Sequence, residues 1–415
     1  MQRGTAGPSA NEEVEQALTL LRNPATIRTR AQHLLERARQ GKSKFFAVHD
    51  AAIEAAASFV ARLSRTRYPG QIPPHSRWRH FEAEGVDLVA KELGPQLRDH
   101  SPGARWMVLA DLCIVSVLLD AGAGSTWRYC APDGSVHQRS EGLALASLYG
   151  FCSGMFSHDP QQPLQVTAQG LQKLHAEHLA QMFQSGADNA LPGFQGRLAL
   201  LRSLGELLEE RPGHFSDLGR PCGLLADRVN QSTPIEPGDI LGLLLERLAP
   251  IWPSPNALGG VCLGDCWRHP DLDGEGLSRG WMPFHKLSQW LAYSLGEALQ
   301  RGGIAVAEHS TLTGLAEYRN GGLMLDTGIL VLKDPRAQHR IHTVDEPLVV
   351  EWRALTVALL EELAAAVRLT LGLDEERLPL ACVLEGGTWA AGRLLARERR
   401  QGEPPLNVQL TGTVF

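Results

Sequence analysis

The densest chemistry in this chain lies in Leu312-Thr313-Gly314-Leu315-Ala316-Glu317-Tyr318-Arg319-Asn320-Gly321-Gly322, where an acid, an aromatic ring and a guanidinium stand on consecutive residues beside a glycine pair. A carboxylate can direct a water or stabilise a cationic transition state, and a planar guanidinium can grip a phosphate or carbonyl with two parallel hydrogen bonds. Glu317 is therefore the first catalytic candidate and Arg319 a substrate ligand. The turn Leu263-Gly264-Asp265-Cys266-Trp267 sets a second acid beside an aromatic ring and makes Asp265 a candidate for proton transfer. Asp120 ends an apolar run and precedes Ala121-Gly122-Ala123-Gly124, then Trp127 and Tyr129. That composition suits a small planar group, such as a urea or pyrimidine, held between an acid and an aromatic face.

Further candidates are weaker because each also has an ordinary structural explanation. His285 and Lys286 follow Pro283 at the start of a helical pattern, where free backbone N–H groups favour a phosphate. In Arg139-Ser140-Glu141-Gly142, Ser140 reads as a helix N-cap and Glu141 as a first-turn acid, with Arg139 and Glu141 as possible substrate contacts. Glu351 and Arg353 open a long helix two positions apart, so they point in different directions, one toward a site and one toward a structural partner. Trp78, Arg79, His80 and Glu82 form a mixed cluster able to close a pocket.

Cys262, Cys266 and His269 supply zinc-ligand types, but no second pair stands at matching spacing, so no metal is expected and the cysteines read as buried thiols beside a turn. Phosphate-binding loops, dinucleotide fingerprints, His-Glu-x-x-His and nucleophile elbows are missing from the sequence, which leaves metal-free acid/base chemistry with no cofactor. The 415 residues carry a formal net charge of -6, which gives no polycationic footprint for nucleic acid and favours a small, nucleoside-derived substrate. Seven scattered cysteines, no long apolar run and a start lacking a signal-peptide core point to a cytoplasmic protein away from membranes, and leave the oligomeric state open.

These groups must be carried by helices. Asn23 and Pro24 have the chemistry of an N-cap and first helical residue, residues 25–40 repeat apolar side chains at helical spacing, and Gly41 supplies a stop. The same period recurs over residues 51–63, 86–97, 105–119, 143–151, 167–183, 193–208, 240–248, 284–299, 349–371 and 388–399. The chain therefore reads as mainly α with few or no strands. Residues 1–12 read as a disordered tail, 13–100 as an N-terminal helical region and 101–415 as the domain bearing the site, or all as one continuous body. Residues 321–334 fit either a hairpin or a helix ended by a glycine turn, and the helix is preferred.

Several of these segments also carry a family resemblance. Glu317 and its neighbours resemble the Leu-Thr-x-Phe-Ala-Asp-Tyr-Arg pattern of the queuosine-salvage nucleosidases, with Glu where that family has Asp. Residues 119–127, Pro283-Phe284-His285-Lys286-Leu287-Ser288-Gln289 and Glu351-Trp352-Arg353-Ala354 are similar to three further segments of that family in the same order. This resemblance implies N-glycosidic bond cleavage on a helical fold like that of helix-hairpin-helix DNA glycosylases. A closer resemblance, over nearly the whole chain, is to the fungal and bacterial uracil-catabolism family. It rests on Asn23-Pro24-Ala25-Thr26-Ile27-Arg28, Ser76-Arg77-Trp78-Arg79-His80-Phe81-Glu82, residues 119–124, Arg139-Ser140-Glu141-Gly142-Leu143 and Glu385-Gly386-Gly387-Thr388-Trp389. At the C-terminus Thr411 stands where that family's pattern has Asp. Together the resemblances imply pyrimidine degradation by a hydrolase of the N-glycosidase type, acting on ribosylurea or its 5′-phosphate. The alternatives are a non-catalytic binding or scaffold protein of the same pathway, or a ring-opening amidohydrolase.

Overall fold

The computed structural model describes residues 9–409 except 84, 99, 121, 125, 232, 253 and 308–310. The Thr411 position and the first eight residues thus lie outside the described residues, as do Ala121 and Ser125 of the Asp120 segment. The fold is mainly α, and its described strands are two or three residues long, joined in two-stranded pairs. The described residues gather into two compact units, one drawn from 9–73, 254–286 and 311–409, the other from 74–252 and 287–307.

In the first unit the helix Pro347–Leu371 is the central element. Its residues from Leu348 through Leu360 are all buried, so it is enclosed on every side rather than along one stripe. The helices Pro24–Arg39 and Ile53–Arg67 pack on it. Asn23 caps the former as expected, its side chain accepting from the Ala25 N–H at 2.9 Å, and Gly41 follows the helix end at φ +75°. The helix Tyr318–Asp326 packs on Trp389–Arg400, and Gly328 at φ +77° then turns the chain into the strand Leu330–Leu332. That strand pairs antiparallel with Phe46–Val48, so residues 321–334 form the preferred helix and glycine turn, followed by a strand whose partner lies far back in the chain.

In the second unit Pro102–Leu118 packs on Arg139–Cys152, and Ala168–Gln172 on Phe194–Glu210. The described part of Lys286–Arg301 within this unit holds the segment 76–79 by side-chain bonds given below.

Two expectations need correction. A helix, Ala10–Leu21, begins inside the stretch read as a disordered tail, because Ser9 and Glu12 form a reciprocal capping box that satisfies two terminal N–H groups. Residues 167–183 break into Ala168–Gln172, capped by the Thr167 side chain, and Ala176–Met182, where one helix was expected. Between the helices Leu380–Val383 and Trp389–Arg400 the chain makes a π-helical turn over Leu384–Thr388, so Glu385-Gly386-Gly387 sits in a wide turn whose glycines lie against Val60 and Ser64. All seven cysteines are free thiols; four are buried, whereas Cys130 is exposed and Cys152 and Cys262 are partly so.

Candidate functional site

The sequence-expected residues divide between the units. Glu317, Asp265, His285, Lys286, Arg319, Glu351 and Arg353 belong to the first; Asp120, Trp127, Tyr129, Arg139 and Glu141 belong to the second.

Glu317 is the N-cap of Tyr318–Asp326. Its two carboxylate oxygens accept from the backbone N–H groups of Arg319 at 2.7 Å and Asn320 at 2.5 Å. It is buried, so it is not the exposed partner of Arg319 that a surface ion pair would require. Burial pushes its carboxyl above the usual range, against the two N–H bonds and the charges of Lys286 and Arg319. The Arg319 side chain turns away to donate to the Gly402 carbonyl at 2.9 Å, with its guanidinium 4.6 Å from the Tyr318 ring centroid. On this first turn Arg319 Nε and Asn320 Oδ1 are buried and have no hydrogen-bond partner.

Asp265 is more completely engaged. Arg353 donates to both of its oxygens at 2.7 Å, the Trp267 indole N–H to Oδ1 at 2.7 Å and the Lys286 backbone N–H to Oδ2 at 3.1 Å. The anion expected at the Lys286 helix start is therefore the protein's own carboxylate. Burial raises the Asp265 carboxyl, but the charge and hydrogen bonds of Arg353, with those of Lys286 and Trp267, outweigh it and hold it below the usual range. A carboxylate offers about four acceptor sites, so little of Asp265 is left for proton transfer. Arg353 also donates to the Ala316 carbonyl at 3.2 Å and lies 4.1 Å from the Phe284 ring centroid.

His285 takes φ +47°, unusual without glycine, and its Nε2 meets the Leu21 carbonyl at 2.9 Å. Burial keeps its imidazole below the ordinary histidine range. Glu351 points away from Arg353, as the spacing implied, and accepts from the Ser43 hydroxyl with His269 Nε2 at 3.4 Å.

His269, Asp271 and Glu351 bring three metal-ligand atoms within 4.8 Å of one another. His269 Nε2 lies 3.4 Å from a Glu351 oxygen, is buried and has no hydrogen-bond partner. His269 Nδ1 accepts from the Asp271 backbone N–H at 3.2 Å, so Nε2 is the ring nitrogen that faces Glu351. A metal at Nε2 would instead leave Nδ1 as the donor.

In the second unit Asp120 forms a buried ion pair with Arg77 at 2.7 Å and accepts from the Ser140 hydroxyl at 3.0 Å. Ser140 is therefore bonded to Asp120, and the N-cap position falls to Gln138. Glu141 is half-buried on the helix Arg139–Cys152, whose first residue Arg139 sits at φ +53°. Trp127 is fully buried, its N–H donating to the Phe183 carbonyl at 2.9 Å and its ring edge against Phe183. Tyr129 pairs with His137 across a two-residue ladder, and burial pushes its phenol up to about 12.

Arg77 is the residue that sequence reasoning overlooked. Its side chain is fully buried, with Nε donating to Ser116 Oγ at 2.7 Å and Nη1 to Asp120. Its own N–H donates to Ser294 Oγ at 2.9 Å, and Ser76 and Arg79 both donate to Glu297 at 2.5 Å. Three segments that carry the closer resemblance, 76–82, 119–124 and 139–143, thus meet around one guanidinium. The signal was present in an arginine embedded in an aromatic run beside a Ser.

The model of the DUF1688 family, described as a protein of unknown function, matches residues 20–415 of this chain. Protein urg3 of Schizosaccharomyces pombe is 37% identical over 401 residues, covering 94% of this chain and 96% of that protein. Uracil catabolism protein 4 of Lachancea kluyveri is 34% identical over 406 residues, covering 88% of this chain and 90% of that protein.

Proposed function

This chain belongs to the DUF1688 family, and from that membership and the chemistry around Glu317 we propose that it acts in uracil catabolism by hydrolysing the N-glycosidic bond of ribosylurea or its 5′-phosphate. The name of the Lachancea kluyveri relative supplies the pathway. The observation that carries the reaction is the first turn of Tyr318–Asp326, where a buried carboxylate stands with an unpartnered donor, Arg319 Nε, and an unpartnered acceptor, Asn320 Oδ1. Ribose hydroxyls both donate and accept, so such a turn suits a sugar ring.

In the proposed step a water oxygen bonds to C1′ while the C1′–N bond breaks and its electron pair passes to the urea nitrogen. Glu317 faces the developing ribosyl cation, takes the water's proton and passes it to the urea nitrogen, so that urea leaves with ribose or ribose phosphate as the other product and the carboxylate is restored. Each Glu317 oxygen accepts one backbone N–H and keeps a second lone pair for this work.

Incubating the purified protein with ribosylurea and with its 5′-phosphate, and following urea release, tests the reading. Turnover of either supports it; turnover of neither, with urea release intact in an extract lacking the protein, overturns it. The engagement of both Glu317 oxygens and of all Asp265 oxygens favours a second reading, a binding protein that holds a uridine-derived intermediate. Stoichiometric ligand binding without turnover is its signature.

A further inference from the structure

We propose that Arg77 and Trp290, in the second unit, form a recognition site for a neutral planar carbonyl flanked by N–H groups, a ureido or imide group. The motivating feature is a pair of buried donors with nothing to donate to. Arg77 Nη2 and Trp290 Nε1 both lack a hydrogen-bond partner, although the Arg77 side chain is fully buried and Trp290 is 7% exposed. A buried donor left this way is unfavourable, so its place in the fold calls for an acceptor brought from outside.

The surroundings define the acceptor. The Arg77 guanidinium lies 5.7 Å from the ring centroids of both Phe81 and Trp290, so the donors stand among flat aromatic surfaces. The rings of His75 and His80 stand 6.4 Å and 5.8 Å from Trp290. Charge selects against an anion. Asp120 already neutralises Arg77, and Glu141 adds a further carboxylate close enough to act on it. A neutral carbonyl oxygen has two lone pairs for the two donors, and flanking N–H groups would meet the negative side formed by Asp120 and Glu141. The Asp120 carboxylate is buried and Glu141 is half-buried, so Glu141 marks the solvent side of the site. Burial and the neighbouring Arg77 hold His80 in its neutral form, so it adds no positive charge that would draw an anion.

The site stands apart from the hydrolysis reading, because it concerns binding alone. The test uses the full chain labelled at indole nitrogen, titrated with N-methylurea, uracil, acetate and inorganic phosphate. The Trp290 indole N–H signal is assigned as the one missing in Trp290→Phe, a variant that keeps the ring packing and loses the donor. The expected result is a saturable shift of that signal by N-methylurea or uracil and none by the anions, with Trp290→Phe binding about fivefold to tenfold more weakly. An unmoved signal, which would mean the donors hold structural water only, overturns the proposal, as does an equal response to phosphate or unweakened binding by Trp290→Phe. Urea release plays no part in this readout, so the binding proposal and the hydrolysis reading fail separately.

Discussion

Asp265 and Arg353, 88 residues apart, meet fork to fork, with both terminal guanidinium nitrogens 2.7 Å from the two carboxylate oxygens. The pair ties the turn before the Lys286 helix to the central helix of the first unit, and Arg353 reaches on to the Ala316 carbonyl next to Glu317. Such a contact positions the Glu317 turn without touching a substrate. Breaking a buried ion pair by removing one partner costs about 3–5 kcal/mol. Asp265→Ala is therefore expected to lose stability on that scale in urea denaturation while the folded fraction keeps part of its turnover. Arg353→Lys should lose part of the same stability, since an ammonium cannot reproduce the fork. A stable Asp265→Ala protein without turnover would restore proton transfer to Asp265.

Gly392 faces the same turn from the helix Trp389–Arg400. A Cβ built there would lie 2.0 Å from the Arg319 carbonyl oxygen and 2.7 Å from its carbon, so backbone must move. Gly392→Ala should cost about 2 kcal/mol or more and depress turnover by displacing the residue after Tyr318. Gly242→Ala is the control, with nothing within 4 Å of the added carbon in the helix Pro237–Arg247. It should gain about 0.5–1 kcal/mol from reduced backbone freedom. Thermal melts of the two variants, with activity measured on each, check both signs; an unperturbed Gly392→Ala would show that the helices separate freely.

The depressed imidazoles of His285 and His80 set a pH dependence. Each binds its proton less readily folded than unfolded, chiefly through burial, so below pH 6.5 the unfolded state takes up protons that the native state refuses. Stability then falls as pH falls through that region, by up to about 1.4 kcal/mol per pH unit for each histidine. Glu317 has the opposite sign: its raised carboxyl makes the native state hold a proton longer, so its contribution declines as pH rises above 4.5. His285→Asn keeps a residue tolerant of φ +47° and should flatten the acid side of the profile by one histidine's share. Urea midpoints at pH 7.5, 6.5 and 5.5 give the slope, and an unchanged slope in His285→Asn would remove this histidine from the account.

What could be read in advance follows the range of the interactions. Helical spacing, the Asn23-Pro24 start and the Gly328 turn are local, and each is realised within a few residues of where its signal lies. The Ser9 capping box was equally local, but its signal fell in a polar stretch whose composition outweighed it. The tasks of charged side chains were less legible. Ser140 had the chemistry of a cap, and only the fold could bring Asp120 within 3.0 Å to claim its hydroxyl. Glu317 was readable as an important acid, whereas its use of both oxygens to start a helix depends on where Tyr318–Asp326 begins. Arg77 was hidden because an arginine is usually exposed, and its burial rests on Ser116, Asp120 and Ser294, which come from two other elements.

The last prediction separates the two duties of Glu317. Removing its side chain as Glu317→Ala would lose both the cap and the charge, and would cost about 1–2 kcal/mol for the cap alone. Glu317→Asp and Glu317→Asn are more informative, because both are good N-cap residues of nearly equal size and differ in charge. If the carboxylate stabilises a ribosyl cation or takes the proton of water, Asp should retain part of the turnover with ribosylurea, and Asn should lose roughly two orders of magnitude or more. Melting temperatures of the two should then stay close, since each offers an oxygen to the Arg319 and Asn320 N–H groups that Glu317 now serves. Equal turnover in the Asp and Asn variants, with only small differences in stability, would leave Glu317 as a helix cap and move the search for the catalytic acid elsewhere.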